Sequence, residues 1–152
     1  GKGMTLYPQT GYEHGSISVV THHLRNSYLW DKVRVQGGAY GGFCSYDRLS
    51  GSLAFLSYRD PQLENTLEIF DKTLAYLQNL KLDKDELVKT IIGVIGEIDA
   101  YQLPDAKGYS SFVRHLTGIT DEERQQRKDE VLQASSADLQ RFCNLIRYLP
   151  EE

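Results

Sequence analysis

Ile17, Val20, Leu24 and Tyr28 recur at helical spacing, although the run from Ser16 to His23 is rich in β-branched residues that favour strands. The spacing predicts a helix over about residues 16–26 and a second helical piece reaching about residue 33. Strand signals follow. Residues 38–46 are aromatic and small, and residues 52–58 alternate between apolar and polar. Asp47, Arg48, Leu49, Ser50 and Gly51 lie between them as a turn cluster, so the two segments read as an antiparallel hairpin.

Helical periodicity then takes over. Asp60 before Pro61 reads as a helix start, with aspartate as the cap and proline at the first helical position. Leu63, Leu67, Phe70, Leu74 and Leu77 line one face of the helix expected there. Asp83 and Glu86 have capping-box spacing and open a helix carrying Leu87, Ile91, Val94, Ile95 and Ile98. Gly93 and Gly96 inside it each cost about 1 kcal/mol relative to alanine, which predicts close packing at both. Pro104 is expected to end or interrupt this helix. Residues 110–116 read as a short helix stopped by Gly118. Thr120 and Glu123 form another capping box, and residues 122–133 are charged and solvated. Ser135 or Ser136 caps a last helix bearing Leu139, Phe142, Cys143 and Ile146, with Pro150 as its end. The fold class is α+β: a small antiparallel sheet with helices packed on one face.

Composition narrows the function. The chain has 152 residues, 40% hydrophobic and 25% charged, as expected of one soluble globular domain. A net charge of -4 argues against nucleic acid as a partner, since phosphate recognition wants a basic surface. No apolar run reaches the roughly 20 residues that a membrane helix needs, and the start lacks the apolar stretch of a signal peptide. Cys44 and Cys143 have neither disulfide-framework nor zinc-finger spacing and read as two buried free thiols in a reducing compartment. The single methionine is Met4, after Gly-Lys-Gly, so a fragment or a tag scar is expected. The small number of strands for so many helices points the same way.

The candidate chemistry lies in residues 29–42. Here a helix end gives way to a glycine-rich turn and a strand, and Arg34 and Tyr40 stand six positions apart around Gly37 and Gly38. Glycine permits close backbone approach, and arginine offers forked donors suited to carbonyls. A tyrosine hydroxyl can donate to a developing oxyanion. The stretch therefore reads either as a peptide-holding site or as a plain helix-to-strand corner.

The wording of this stretch, Val35-Gln36-Gly37-Gly38-Ala39-Tyr40-Gly41, and of Tyr101-Gln102-Leu103-Pro104-Asp105-Ala106-Lys107-Gly108-Tyr109 resembles the pitrilysin family of inverted-zincin metallopeptidases. Within it the match is to the presequence protease subgroup, oligopeptide-degrading enzymes of mitochondria, plastids and bacteria. The resemblance runs from Gly1 to about Pro150 and implies a pitrilysin-type metallopeptidase-like fold. The family's polypeptide has four homologous domains in two halves. Residues 1–152 would be a single, truncated C-terminal domain, beginning inside its first strands and stopping before its final one.

The family's zinc is held by a His-x-x-Glu-His helix and a downstream glutamate in the first domain. This chain has His14, His22, His23 and His115, none with the required partner, so no metal ligand is expected here. The resemblance instead places zinc in the N-terminal half, with the chain itself inactive as a peptidase when alone. By the same resemblance Arg34 grips a substrate carbonyl near the scissile bond, and Tyr40 hydrogen-bonds the carbonyl oxygen as it becomes an oxyanion. Gly37 and Gly38 belong to the same substrate-binding set.

The implied partners are the N-terminal catalytic half of the same polypeptide and an unstructured peptide. Nucleic acid and membrane are not expected, and an exposed interface allows a homodimer of the fragment. The implied location is the mitochondrial matrix or plastid stroma in a eukaryote and the cytoplasm in a bacterium. A different reading is a non-enzymatic scaffold or peptide-binding module built on the same fold. Tyr46, Phe55 and Tyr58 either line a chamber or pack under helices. Arg59 and Asp60 are an ion pair or a cap with its neighbour, and Cys44 is a packed thiol or faces the chamber.

Overall fold

In the computed structural model, which describes residues 1–6 and 14–147, strands form where the alternation is cleanest. β2 (Gly41–Asp47) and β3 (Ser52–Tyr58) pair antiparallel, with Gly41 opposite Tyr58 and Asp47 opposite Ser52. The Asp47 carboxylate accepts the N–H groups of Leu49 and Ser50, and Gly51 takes φ 68°, so the predicted turn cluster closes the hairpin. β1 (Lys2–Thr5), which the hydrophobic pattern does not reveal, pairs antiparallel with the other edge of β3 and gives the order β1-β3-β2. Cys44, Leu53 and Phe55 point to the buried face, whereas Phe43, Leu56 and Tyr58 lie on the open face.

Across the buried face runs a helix longer than expected. α1 (Ser16–His23) continues through two stretches of wide turns, Leu24–Tyr28 and Trp30–Gln36, rather than breaking into two pieces. The Leu29 N–H donates to the Leu24 carbonyl, and the Gly37 N–H to the Lys32 carbonyl at 3.0 Å, each five residues back. Ile17, Val20, Leu24, Leu29 and Val33 enter the core. Gly42 makes the contact between helix and strand possible: a Cβ there would lie 3.1 Å from the Val33 Cβ and 3.3 Å from the Leu29 Cβ.

The helix expected from Asp60 to Leu77 is two. α2 (Leu63–Asp71) and α3 (Thr73–Asn79) meet at Lys72, whose ψ of -3° opens the winding. The Thr73 hydroxyl donates to the Ile69 carbonyl at 3.4 Å beside this break. The helix also starts later than expected. Asp60 caps no helical turn but accepts the Gln62 N–H at 2.9 Å, before Leu63 begins α2. Ile69, Phe70 and Leu77 complete the main core, with the Phe70 ring 5.6 Å from that of Phe55.

A second, smaller core of Val19, Val94, Val131 and Ala134 joins α1 to α4 (Lys84–Ile98) and α6 (Asp121–Leu132). Asp83 accepts the Glu86 N–H at 2.8 Å to start α4. Gly93 is closely packed as expected, since a Cβ there would come within 2.6 Å of the His22 ring. Gly96 is not: nothing lies within 4 Å of its Cβ position.

Pro104 opens a helix instead of ending one. α4 stops at Ile98, and α5 (Pro104–Thr117) starts at the proline, where a missing N–H costs nothing because the first turn leaves it unbonded anyway. α5 is longer than the predicted residues 110–116, ends at Gly118 with φ 70°, and buries none of its side chains. Both arms of the Thr120–Glu123 capping box are made. Before α7 (Ser136–Arg147) the Ser135 N–H and hydroxyl both donate to the Asp138 carboxylate at 2.8 Å. Leu139, Phe142 and Cys143 bring α7 into the main core, while the stop expected at Pro150 lies outside the described residues. The class is α+β, as expected.

Candidate functional site at the helix-to-strand corner

The corner that holds Arg34 and Tyr40 is built by backbone hydrogen bonds returning to the last wide turns. Gly38 donates to the Arg34 carbonyl at 3.0 Å and Ala39 to the Val33 carbonyl at 3.1 Å. Gly37 is buried, and a Cβ on it would stand 2.6 Å from the Val33 carbonyl oxygen, so a side chain has no room. Gly38 takes φ 76°, a left-handed geometry that glycine adopts without a Cβ clash. The two glycines thus turn the chain from helix to strand within three residues. Their N–H groups are already bonded to helix carbonyls.

Two side-chain clusters stand on this corner. On the helix side, Arg34 is exposed and its guanidinium lies 4.1 Å from the centre of the Trp30 ring. On the strand side, Tyr40 is 65% exposed. Its N–H donates to the Tyr58 carbonyl at 3.0 Å, and its ring meets Tyr58 edge to face, with centroids 5.9 Å apart at 82°. The Arg59 guanidinium lies 5.8 Å from the Tyr40 ring centre and 5.4 Å from that of Tyr58. Sequence reasoning names Arg34 and Tyr40 but misses the cation–π contacts made by Trp30 and Arg59. The four-residue spacing from Trp30 to Arg34 is a signal for the first, because such pairs share a helix face.

The open sheet face continues from Tyr40. Phe43 and Leu56 sit directly opposite one another, and the Phe43 ring covers Gly41. Of the three hairpin aromatics, Tyr58 faces out, Phe55 is buried, and Tyr46 packs against the core. The corner therefore offers two cationic forked donors, an exposed phenol and a flanking apolar surface.

The remaining candidates are occupied. Cys44 is a buried free thiol, and burial pushes its pKa up to about 12. Cys143 is also a buried free thiol, likewise raised by burial. His22 accompanies Asn26 at 3.1 Å and lies 3.7 Å from Glu97, which also pairs with Arg25. His23 hydrogen-bonds the Tyr76 hydroxyl at 2.9 Å. Burial holds both imidazoles below their usual pKa. Among the described residues no group of three or more histidine, cysteine, aspartate or glutamate side chains converges to hold a metal ion. No helix among the described residues is long and apolar enough to cross a membrane.

Known proteins share this chain's sequence closely. The family model described as the PreP C-terminal domain matches residues 1–149. Presequence protease 1, chloroplastic/mitochondrial, of Arabidopsis thaliana is 54% identical over 147 residues, covering 96% of this chain and 14% of that protein. Protein HypA of Clostridium perfringens is 35% identical, over 96% of this chain and 15% of that protein. The mitochondrial presequence protease of Saccharomyces cerevisiae is 33% identical, over 90% of this chain and 14% of that protein. The chain thus spans about a seventh of the length of these relatives. The match over residues 1–149 and these identities show that the chain belongs to the presequence protease family and corresponds to its C-terminal domain.

Proposed function

We propose that this chain, as one C-terminal pitrilysin-type domain over residues 1–152, is the substrate-gripping part of a zinc metalloendopeptidase that degrades short unstructured peptides. The observation that carries the reading is the corner itself. Arg34 and Tyr40 are both exposed on a backbone fixed by hydrogen bonds, and no partner among the described residues takes up the phenol's donor capacity. Arg34 donates to a peptide carbonyl beside the scissile bond. Tyr40 donates to the scissile carbonyl oxygen as it gains negative charge, an interaction stronger in the transition state than in the bound peptide. Gly37 and Gly38 shape the turn against which the peptide backbone lies. The open sheet face of Phe43, Leu56 and Tyr58 forms chamber wall.

The metal that activates water belongs to the N-terminal catalytic half, which is this domain's partner in the same polypeptide. The compartment follows from that polypeptide: the matrix or stroma in a eukaryote, the cytoplasm in a bacterium. Separated from its partner, the domain self-associates through apolar surface such as Tyr109, Phe112 and Leu116 on α5.

Complementation tests the reading. This chain is mixed with a zinc-loaded N-terminal half carrying His-x-x-Glu-His, and cleavage of an unstructured peptide is followed. Activity should rise with the chain and fail to rise with its Arg34→Ala variant. Docking without any rise would make the corner structural and the domain a scaffold.

A further inference from the structure

Successive side chains of a strand point to opposite faces. Arg59, the first residue beyond β3, departs from this alternation. It follows Tyr58 at the end of β3, yet its guanidinium lies 5.4 Å over the Tyr58 ring and 5.8 Å over the Tyr40 ring. The cause is in its backbone: Arg59 has φ 48° and is the one non-glycine residue with positive φ among the described residues. That conformation is uncommon for a residue with a long side chain, and glycine, asparagine or aspartate adopt it more readily. Here the left-handed bend folds the side chain back over its predecessor.

Two corners meet at this point. The turn of residues 37–40 leads from helix to strand, and that of residues 58–61 leads from strand to helix. The Tyr40 N–H bonds the Tyr58 carbonyl at 3.0 Å, and the Gly38 Cβ position is 3.6 Å from Pro61 Cγ. Asp60 is engaged with the Gln62 N–H at 2.9 Å, so the second corner is pinned on its far side. Tyr40 by contrast is 65% exposed, and its ring meets the Tyr58 ring edge to face with the Arg59 guanidinium over it. A cation within about 6 Å of an aromatic centroid is attracted to the ring face.

We propose that Arg59 is a positioning residue for Tyr40: its left-handed backbone places the guanidinium across both tyrosine rings and fixes the direction in which the Tyr40 hydroxyl points. The inference rests on the reading of Tyr40 as an oxyanion donor and adds the group that aims it. Aim matters because displacement of a catalytic donor by about 1 Å can cost on the order of 100-fold in rate. A strained backbone retained beside such a donor is the pattern expected where strain serves preorganisation. Arg59 itself need not touch the peptide.

The test uses the full polypeptide containing this domain, with fluorotyrosine placed at position 40. Arg59→Gly suits the left-handed backbone, so the variant folds while losing the cation; Arg59→Lys keeps the charge but loses the broad guanidinium that reaches both rings. In Arg59→Gly the fluorine resonance should shift and narrow as the ring is released, and kcat should fall about tenfold with KM within about twofold. Arg59→Lys should fall between. In a Tyr40→Phe background, Arg59→Gly should cost less than about twofold, because the hydroxyl it aims is already gone. An unchanged fluorine signal would overturn the proposal, as would a tenfold loss persisting in the Tyr40→Phe background. Tyr40→Phe that leaves kcat unchanged would instead overturn the oxyanion reading, while the fluorine signal would still decide whether Arg59 holds the ring.

Discussion

The guanidinium of Arg34 stacks on the Trp30 ring at 4.1 Å, one helical turn away on an exposed surface. Trp30 is the sole tryptophan, so its fluorescence reports this contact without interference. Arg34→Ala should change the emission of Trp30 and cost stability by no more than about 0.5–1 kcal/mol, the range for an exposed cation–π pair. In the assembled enzyme it should lower kcat/KM by about 10–100-fold, raising KM and lowering kcat together. An unaltered spectrum would remove the stack from the account of the site.

Tyr40→Phe keeps the ring packed against Tyr58 and Arg59 and deletes only the hydroxyl. Steady-state kinetics should show kcat reduced by about 100–1,000-fold with KM within about twofold, the pattern of a donor that acts in the transition state. A rise confined to KM would assign the hydroxyl to ground-state binding.

Two glycines should respond to alanine in opposite ways. At Gly42 the added methyl meets Val33 and Leu29 at 3.1–3.3 Å, so Gly42→Ala should destabilise by about 1–3 kcal/mol through overpacking. At Gly96 nothing lies within 4 Å, so Gly96→Ala should stabilise by about 0.5–1 kcal/mol through helix propensity. Urea midpoints of the two variants decide the matter, and a common sign would contradict the packing described.

Acidification should weaken the fold in the imidazole range. Burial holds His22 and His23 below the usual value of 6.5, so the folded chain keeps them neutral where the unfolded chain binds protons. Their contribution is complete above pH 6.5 and is lost as pH falls through their lower folded values. Asp47, held below 3.8 chiefly by its hydrogen bond from Ser50, acts only at lower pH. His23→Gln can keep a hydrogen bond to Tyr76 but cannot titrate. Its urea midpoint should therefore fall less than that of the parent chain between pH 7.5 and 5.5, and an equal fall would exclude His23.

Neither cysteine should react while the chain is folded. The Cys44 thiol, pushed up to about 12, and the buried Cys143 should both resist alkylation at pH 8 and react fully in urea. Rapid native labelling of Cys44 would mean that the contact of β2 with the first helix opens readily.

How much of this was legible in the residues depends on whether the determinant was local. The hairpin was, because alternation in β2 and β3 is bounded by a turn cluster whose Asp47 side chain closes it. The Thr120–Glu123 box and the Gly118 stop were legible for the same reason. β1 was not: Lys2, Gly3, Met4 and Thr5 form a strand only because β3 offers them an edge. Pro104 was misread because proline serves both to stop a helix and to begin one. In the site, Arg34, Gly37, Gly38 and Tyr40 were legible as a corner, and the chemical roles proposed for them came from the family resemblance. The cation–π contact of Arg59 with Tyr40 was hidden because it needs a left-handed arginine, against local preference.

The wide winding of Leu24–Tyr28 and Trp30–Gln36 makes the bearing of Arg34 a property of chain length. Each residue of an ordinary helix advances the azimuth by about 100°, and a five-back bonded turn absorbs a surplus residue without shifting the neighbours that remain in the core. Removing one residue from Trp30–Gln36 should relax that wide turn to ordinary winding, leave Leu24 and Ile17 seated, and redirect the residues inside the turn, Arg34 among them. If Arg34 grips as proposed, a one-residue shortening there should abolish gripping while keeping Arg34 and Tyr40, and a scan of such deletions would separate having the right groups from pointing them the right way.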